Sequence, residues 1–120
     1  MDEIAQSDSS LLALSPKKGR FWKRNGEVLC AGIPEFPVRT NYISGEGISF
    51  FSMRPINIGQ HCVIKVPTLY KGKINLLEAQ GSIDFCTLCG MQGFRVGVRF
   101  KDLNKNSKEL VEAIIENSYW

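Results

Sequence analysis

Apolar and polar side chains alternate along most of the chain. The alternation has a period of two over residues 61–66, 77–85 and 94–100, so one face of each stretch is apolar and the other mostly polar. This pattern is typical of half-buried antiparallel strands that surround one core. Short segments bounded by proline or glycine, which favour turns, occur at residues 55–59, 67–72 and 90–93. We therefore predict five or six antiparallel strands.

The pattern changes to a helical one near the C-terminus. Apolar residues there recur at the spacing of one helix face: Leu110, Val111, Ile114 and Ile115. Asn106, with Glu109 three residues later, is typical of a capping box, in which the first side chain caps the helix. We predict an all-β domain with a C-terminal α-helix. A closed or nearly closed small barrel fits the strands, because closure removes exposed edges.

Two strand-like runs, residues 38–43 and 48–52, meet at a short corner. The corner has the sequence Ser-Gly-Glu-Gly at residues 44–47. A four-residue link of this kind predicts a β-hairpin, and glycine there permits a positive φ or the close approach of a ligand. Such a corner offers backbone N–H groups and one hydroxyl to a ligand. It serves equally well as a plain structural turn.

Composition and charge are those of an ordinary globular domain. The 120 residues are 43% hydrophobic and 22% charged, which fits one domain with a single modest core. The net charge of +3 is too small to indicate a nucleic acid polymer as partner. Residues 1–16 are acidic and then serine-rich, so we expect a flexible N-terminal arm there and the folded domain over residues 17–120.

We expect a cytoplasmic protein that does not insert into a membrane. No apolar run approaches the roughly 18 residues of a membrane span. Asp2 and Glu3 stand where a secretory signal would carry basic residues. The four cysteines are then expected to be reduced.

Few residues suit catalysis or metal binding. His61 is the only histidine, and Cys62 beside it would point to the opposite face of a strand. The carboxylates are scattered and form no acid–base pair by their spacing. Cys86 and Cys89 form a C-x-x-C-G sequence that resembles half of a zinc site, but the remaining cysteines supply no second such pair. We therefore predict neither an enzyme nor a metal centre.

A basic cluster precedes the first strand-like run. Five of the eight residues at 17–24 are lysine or arginine, and Phe21 and Trp22 lie between them. Arginine binds phosphate, or the O6 and N7 atoms of guanine, through two parallel hydrogen bonds, and its plane stacks on flat rings. Arg20 and Arg24 are spaced i, i+4, which a solvated tail or a charged helix face also produces. Aromatic and basic residues together also suit single-stranded nucleic acid, which we keep as an alternative.

Three short motifs follow one another along the chain: Arg20-x-x-x-Arg24, then Tyr42-x-Ser44-x-x-Gly47, and then G-F-R-V-G-V-R-F at residues 93–100. Their order and spacing resemble those of the PilZ domain, a bacterial receptor module for the second messenger cyclic di-GMP. The resemblance runs from about residue 18 to about residue 115. It implies a six-stranded antiparallel β-barrel with a C-terminal α-helix, cyclic di-GMP as the ligand and no further cofactor.

The resemblance also implies roles for individual residues. Arg20 and Arg24 match the arginine pair that clamps guanine and phosphate in PilZ domains. Ser44 matches the serine whose side chain contacts the ligand. Gly47 matches the glycine that lets the corner fit against it.

One position departs from the family pattern. Where the family has an aspartate or asparagine that pairs with a guanine edge, this chain has Tyr42. Asn41 is adjacent, but on a regular strand its side chain would face the other way. A bulge of one residue would bring Asn41 to the ligand, and otherwise the phenol of Tyr42 would stack on the base or hydrogen-bond to it.

The resemblance predicts a receptor for cyclic di-GMP. On binding the dinucleotide, an arm that carries Arg20 and Arg24 would close over the barrel and offer a new surface to a downstream protein partner. The alternative is a PilZ-like adaptor that binds proteins and has lost nucleotide binding, an alternative that Tyr42 motivates.

Overall fold

Seven strands, one α-helix and a short 3-10 helix (Gly90–Gln92) make up the part of the chain that the computed structural model describes, residues 19–116. In chain order the elements are β1 (Gly19–Phe21), β2 (Asn25–Cys30), β3 (Ile33–Ser44), β4 (Gly47–Ser52), β5 (His61–Tyr70), β6 (Lys73–Leu88), β7 (Phe94–Phe100) and α1 (Lys105–Glu116). The predicted flexible arm, residues 1–16, lies outside the described residues, so it stays a prediction.

The strands form one antiparallel sheet that closes on itself. The hydrogen-bonded order is β1-β3-β2-β5-β6-β7-β4, and β4 also pairs with β3. Strands β2 to β7 are therefore a ring of six, and the predicted barrel-like all-β fold with a C-terminal helix is confirmed. Strand β1 is additional to the ring and, among the described strands, pairs only with β3. Closure leaves few free strand edges in the ring.

The core lies inside the ring and under α1. Most inward positions predicted from the period-two pattern are buried, as Cys62, Ile64 and Val66 on β5 show with no exposed surface. The prediction is wrong for Phe85, because a register shift after Ile83 pairs it with Gly97 on the outer face. The helix adds Leu110, Val111 and Ile114 to the same cluster, all at most 2% exposed. The apolar stripe predicted for the helix is thus the face that packs onto the sheet. No helix within residues 19–116 has the length and apolar content needed to cross a bilayer.

The helix starts two residues earlier than a cap at Asn106 requires. Its first residue is Lys105, and the side-chain Oδ1 of Asn104 accepts a hydrogen bond of 2.8 Å from the backbone N–H of Ser107. The prediction of Asn106 as the cap is wrong, because Asn106 already lies inside the first turn. Ser107 then fixes the helix to the sheet, since its hydroxyl donates to the carbonyl of Glu78 at 2.8 Å.

Two cysteines face each other inside the ring. Cys30 on β2 lies directly opposite Cys62 on β5, and both are at most 2% exposed. Burial, together with the neighbouring Cys30, raises the pKa of Cys62 to about 12, and burial also raises the pKa of Cys30. Cys86 and Cys89 are only partly buried. The four thiols therefore fall into two classes of reactivity, because the thiolate is the reactive form.

The position of the helix cap is testable by two matched substitutions. Asn104→Ala removes the side chain that satisfies the N–H of Ser107, so we expect a loss of about 0.5–2 kcal/mol in the free energy of unfolding. Asn106→Ala, two residues away and exposed, is the control and should change it by far less. Urea denaturation measures both. A larger loss for Asn106→Ala than for Asn104→Ala would contradict the assignment.

The two thiol classes are testable with a thiol-specific reagent such as DTNB. At mildly alkaline pH, Cys86 and Cys89 should react quickly, whereas Cys30 and Cys62 should react only after urea unfolds the chain. Keeping the buried thiols protonated stabilises the fold fully below the unfolded thiol pKa of about 8.5. That contribution is lost as the pH rises through about 12. Rapid labelling of all four thiols in the native protein would contradict the buried arrangement.

Candidate functional site

Strand β1 brings the two separated motifs into contact. Its three residues pair with the end of β3, so that Arg20 lies opposite Ile43 and Phe21 opposite Tyr42. Gly19 lies opposite Ser44. The segment expected to be a mobile arm is thus, at Arg20, a short strand of the sheet. The backbone carrying the first arginine runs directly beside the strand that carries the second motif.

A buried threonine fixes the loop between β1 and β2. The hydroxyl of Thr40 donates a hydrogen bond of 2.6 Å to the carbonyl of Trp22 and accepts one of 2.8 Å from the N–H of Arg24. The N–H of Thr40 donates to the carbonyl of Arg24 at 2.9 Å. Thr40 has no exposed surface, so these bonds are shielded from water. They set the position of Arg24 relative to β3.

A β-bulge at Asn41 changes which side chains face outward. Thr40 pairs with Phe50 and Tyr42 pairs with Ser49, so Asn41 is the extra residue. Thr40 and Ile43 both lie in the interior with no exposed surface, which leaves Asn41 and Tyr42 on the outer face together. The side-chain amide of Asn41 donates to the hydroxyl of Ser49 at 3.3 Å. The bulge that would bring Asn41 to the same face as Tyr42 is present.

Tyr42 and Phe21 form an aromatic pair on this outer face. Their ring centroids are 5.2 Å apart and their planes are near perpendicular, at 77°. Phe21 keeps 71% of its surface exposed, whereas Trp22 keeps 1%. Burial raises the pKa of Tyr42, so its phenol stays protonated at neutral pH. Phe21 is available to stack on a ligand ring, and Trp22 belongs to the core instead of a nucleic acid surface.

The corner between β3 and β4 buries Ser44, whose hydroxyl the sequence analysis expected to be open to a ligand. Ser44 is 1% exposed, and its hydroxyl oxygen accepts a hydrogen bond of 3.1 Å from the N–H of Glu46. Gly45 and Gly47 are not among the glycines with positive φ, so the corner does not use that freedom of glycine. Gly45 has open space where a side chain would stand. Direct contact with Ser44 therefore requires movement of the chain around it.

The two guanidinium groups have partners in this structure. Arg20 donates a hydrogen bond of 3.2 Å to the carbonyl of Ile114 in the last turn of α1. Arg20 can reach α1 because it is paired with Ile43, whose side chain faces the core, and directly paired residues point to the same face of the sheet. Arg24 donates to the carbonyl of Lys23 at 2.9 Å and lies 5.9 Å from the ring centroid of Trp22. The backbone places both arginines beside β3, while these bonds direct their side chains to the helix and the loop.

Strand β7 contributes an arginine that the motif analysis missed. Arg99 lies directly opposite Gly47, and its guanidinium is 3.4 Å from the carboxylate of Asp84. Gly97, two residues before Arg99 on the same face of β7, leaves room for the ring of Phe85. A side chain at residue 97 would overlap that ring. The signal was present in the sequence, since Arg95 and Arg99 fall on alternate positions of G-F-R-V-G-V-R-F. Only the pairing of β7 with β4 shows that Arg99 lies beside the corner.

Other candidate chemistry does not assemble around these residues. His61 is exposed and Cys62 is buried, so the predicted opposite orientation of these neighbours is confirmed. Within residues 19–116, no group of three or more histidine, cysteine, aspartate or glutamate side chains is placed to hold a metal ion. What the described site offers is arginine, aromatic rings, a side-chain amide and hydroxyls.

Comparisons with known proteins agree with this fold. A family model described as the PilZ domain matches residues 22–117. The chain is similar in structure to the inhibitor of motility MotI/DgrA of Bacillus subtilis, with a TM-score of 0.75 and 7% identity over 85% of this chain. It spans about half of that protein, 49% of its length.

Two further solved structures are similar to the chain. The PilZ domain of CeSA from a cellulose-synthesizing bacterium matches with a TM-score of 0.60 and 16% identity, over 85% of this chain and 98% of that one. The PilZ domain of YcgR from Escherichia coli, solved with c-di-GMP, matches with a TM-score of 0.53 and 17% identity, over 78% and 79%. At these identities the likenesses show the fold. Comparison with curated protein sequences gives no match.

The role of Thr40 is testable by removing its hydroxyl. Thr40→Val keeps the shape but leaves the carbonyl of Trp22 and the N–H of Arg24 unpaired, each at a cost of about 1–3 kcal/mol. We expect the free energy of unfolding to fall accordingly in urea titrations. Thr87→Val, on the exposed part of β6, is the matched control and should be nearly neutral. Equal stabilities for the two variants would show that the threonine does not fix the loop.

Proposed function

Because the chain belongs to the PilZ domain family, we propose that it is a receptor for cyclic di-GMP. The proposed site lies where β1 pairs with the end of β3, next to the corner at residues 44–47. The pairing of β1 with β3 carries this proposal, since it sets Phe21 opposite Tyr42 and Gly19 opposite Ser44, with the backbone of Arg20 between them. The YcgR domain solved with c-di-GMP supports the class of ligand. The proposed role is binding and signalling, not catalysis.

The chemistry of the ligand matches the groups at the site. Cyclic di-GMP carries two phosphate charges and two guanine rings. The guanidinium groups of Arg20 and Arg24 can each hold a phosphate, or the O6 and N7 atoms of guanine, through paired hydrogen bonds. The exposed ring of Phe21, braced by Tyr42, gives a guanine a surface on which to stack. Arg99 lies opposite Gly47, where its charge is offset by Asp84.

Asn41 is the proposed substitute for the aspartate or asparagine of the family. The bulge puts its side chain on the outer face, next to Tyr42. Its amide N–H₂ donates to Ser49, which leaves the carbonyl oxygen to accept from the N1–H and N2–H₂ edge of guanine. Tyr42, whose phenol is protonated at neutral pH, then braces the stacking ring instead of pairing with the base.

Ligand binding would change the contacts of β1 and α1. Within residues 19–116, three residue pairs join β1 to β3, fewer than join any other two paired strands, so β1 is the strand we expect to shift most readily. Arg20 cannot hold a phosphate and the carbonyl of Ile114 in their best geometry at once. The proposed signal is therefore the transfer of Arg20 from the end of α1 to the ligand, with β1 shifting away from Ser44. A downstream partner protein would read the changed surface of β1 and α1.

One specific observation favours the second candidate function, an adaptor that binds no nucleotide. Tyr42 stands where the family has a side chain that pairs with guanine, and Arg20 is engaged with α1. In that case the bond to Ile114 is a permanent cap on the helix. The two candidate functions differ in whether the isolated chain binds cyclic di-GMP.

Calorimetric titration of the 120-residue chain with cyclic di-GMP tests the proposal. We expect binding, and we expect Arg24→Ala to weaken it by roughly 10- to 100-fold, because hydrogen bonds to charged groups contribute about 1.5–3 kcal/mol. Arg20→Ala should weaken it similarly. Lys23→Ala, an exposed neighbour in the same loop, is the matched control and should bind almost as the native chain does.

Two results would decide against the receptor. The first is the absence of heat and of any rise in melting temperature with ligand in the high micromolar range. The second is a Tyr42→Asp variant that binds where the native chain does not, which would establish the adaptor. Melting of each variant without ligand must accompany the titrations, since Arg20→Ala also removes the bond to Ile114.

A further inference from the structure

Cys30 and Cys62 occupy positions that suit a covalent bond between their side chains. They lie directly opposite each other on β2 and β5, and both are at most 2% exposed. Their thiols are in hydrogen-bond contact with each other. The candidate site at β1 and β3 uses neither of them, so their pairing needs its own explanation.

The hydrogen bonds of β6 show which kind of antiparallel pair the two cysteines form. Ile83 donates its N–H to the carbonyl of Gln60 at 2.9 Å and accepts at its carbonyl from the N–H of Gly59 at 2.7 Å. The backbone groups of Ile83 therefore point toward the start of β5. Successive strand residues direct these groups to alternate sides, so Gly81 also points to β5, where it is paired with Cys62. The backbone groups of Cys62 thus point to β6 and away from β2.

The spacing of the two cysteines suits a disulfide. The alternation holds at Gln80, whose carbonyl points to the other side and accepts from the N–H of Lys101 at 2.8 Å. Cys30 and Cys62 are therefore a non-hydrogen-bonded pair, in which Cα atoms lie ~4.5 Å apart and side chains approach closely. Disulfides span Cα separations of roughly 4.4–6.8 Å. The pair falls at the short end of this range, where a disulfide forms without separating the strands and is readily reduced again.

Both cysteines lie near one end of their strands, where local opening exposes them. Cys30 is the last residue of β2 and is followed by the exposed turn residues Ala31 and Gly32. Cys62 is the second residue of β5. Strand ends open locally at a much smaller free-energy cost than unfolding of the whole domain. A small oxidant reaches the two thiols in this way while the rest of the sheet stays paired.

We propose that Cys30 and Cys62 are a redox-sensitive pair that forms a reversible disulfide across β2 and β5, with hydrogen peroxide as the oxidant. The Sγ of Cys30 attacks one peroxide oxygen, the O–O bond breaks, and a sulfenic acid and one water result. The Sγ of Cys62 then attacks the sulfenic sulfur, the S–O bond breaks, and a second water leaves. Two thiols lose two electrons and two protons, and one peroxide becomes two waters.

Burial sets the rate of this reaction. It raises the pKa of both thiols, to about 12 for Cys62, so the reactive thiolate is scarce at neutral pH. The disulfide should therefore form slowly and form faster as the pH rises. Slow formation agrees with the protection of the same two thiols from a bulky reagent such as DTNB during a short labelling.

The disulfide closes a loop of chain that contains all of β3 and β4. A cross-link of this kind stabilises a fold mainly by limiting the conformations of the unfolded chain. The melting temperature of the oxidised form should rise by about 10 °C. The closed loop includes Asn41, Tyr42 and Ser44, but the proposal does not rest on ligand binding, since it concerns the sulfur atoms alone.

Peroxide treatment of a variant that carries Cys86→Ser and Cys89→Ser tests the proposal, because Cys30 and Cys62 are then the only cysteines left. The folded variant is oxidised, the peroxide is removed with catalase, and the chain is unfolded in urea with N-ethylmaleimide. We expect an intact mass lower by two hydrogen atoms and no maleimide adduct. Dithiothreitol should restore two adducts and the lower melting temperature. Adding Cys62→Ser to this variant gives the matched control, which should form no disulfide within the chain and show no rise in melting temperature.

Two free thiols after prolonged oxidation of the folded variant would overturn the proposal. So would oxidation that ends in sulfinic acid or in disulfides between chains, because the two sulfurs would then not meet within one fold. Peptide mapping of the oxidised native chain decides the matter where the serine variant does not fold. A peptide that joins Cys30 to Cys62 would support the pair, and its absence beside a peptide that joins Cys86 to Cys89 would contradict it.

Discussion

The hydrogen bonds of β3 are the constraint on which the other elements depend. Its first half pairs with β2, and its second half lies between β4 and β1. The pairing with β4 closes the ring, and the pairing with β1 attaches the segment that carries Arg20. The bulge at Asn41 lies in the half of β3 that pairs with β4, so the stretch that closes the ring also brings Asn41 and Tyr42 to the outer face together.

The interior next to this bulge contains buried hydrogen bonds that hold the loop between β1 and β2 against β3. Thr40 bonds both to Trp22 and to Arg24, and its exposure is zero. The indole N–H of Trp22, also buried, has no acceptor in the described chain. An unmet buried donor costs on the order of 1–3 kcal/mol. The fold accepts this cost because the ring of Trp22 fills the core at the point where the chain enters β2.

Much of the fold followed from the sequence, because burial alone produces period-two and helical patterns. The strands after residue 48 and the face of α1 are of this kind. Features that depend on how the strands pair could not be predicted from the sequence. The described part of β1 is three residues within a basic cluster, too short to show an alternation. The cap at Asn104 was missed because Asn104 and Asn106 are both plausible from local sequence, and only the first turn of the helix distinguishes them. The motifs located Arg20, Arg24, Tyr42 and Ser44, but not the burial of Ser44 or the bond from Arg20 to α1.

Because of its bond to Ile114, Arg20 would be needed both by the end of α1 and by a ligand at the proposed site. Its guanidinium meets one of the last carbonyls of α1, at the helix end where positive charge is favourable by about 0.3–1 kcal/mol. A dianionic ligand at β1 would compete for the same group. By linkage, whatever the ligand gains from Arg20 is reduced by what α1 loses, and anything that stabilises the last turn of α1 by other means raises the affinity for the ligand.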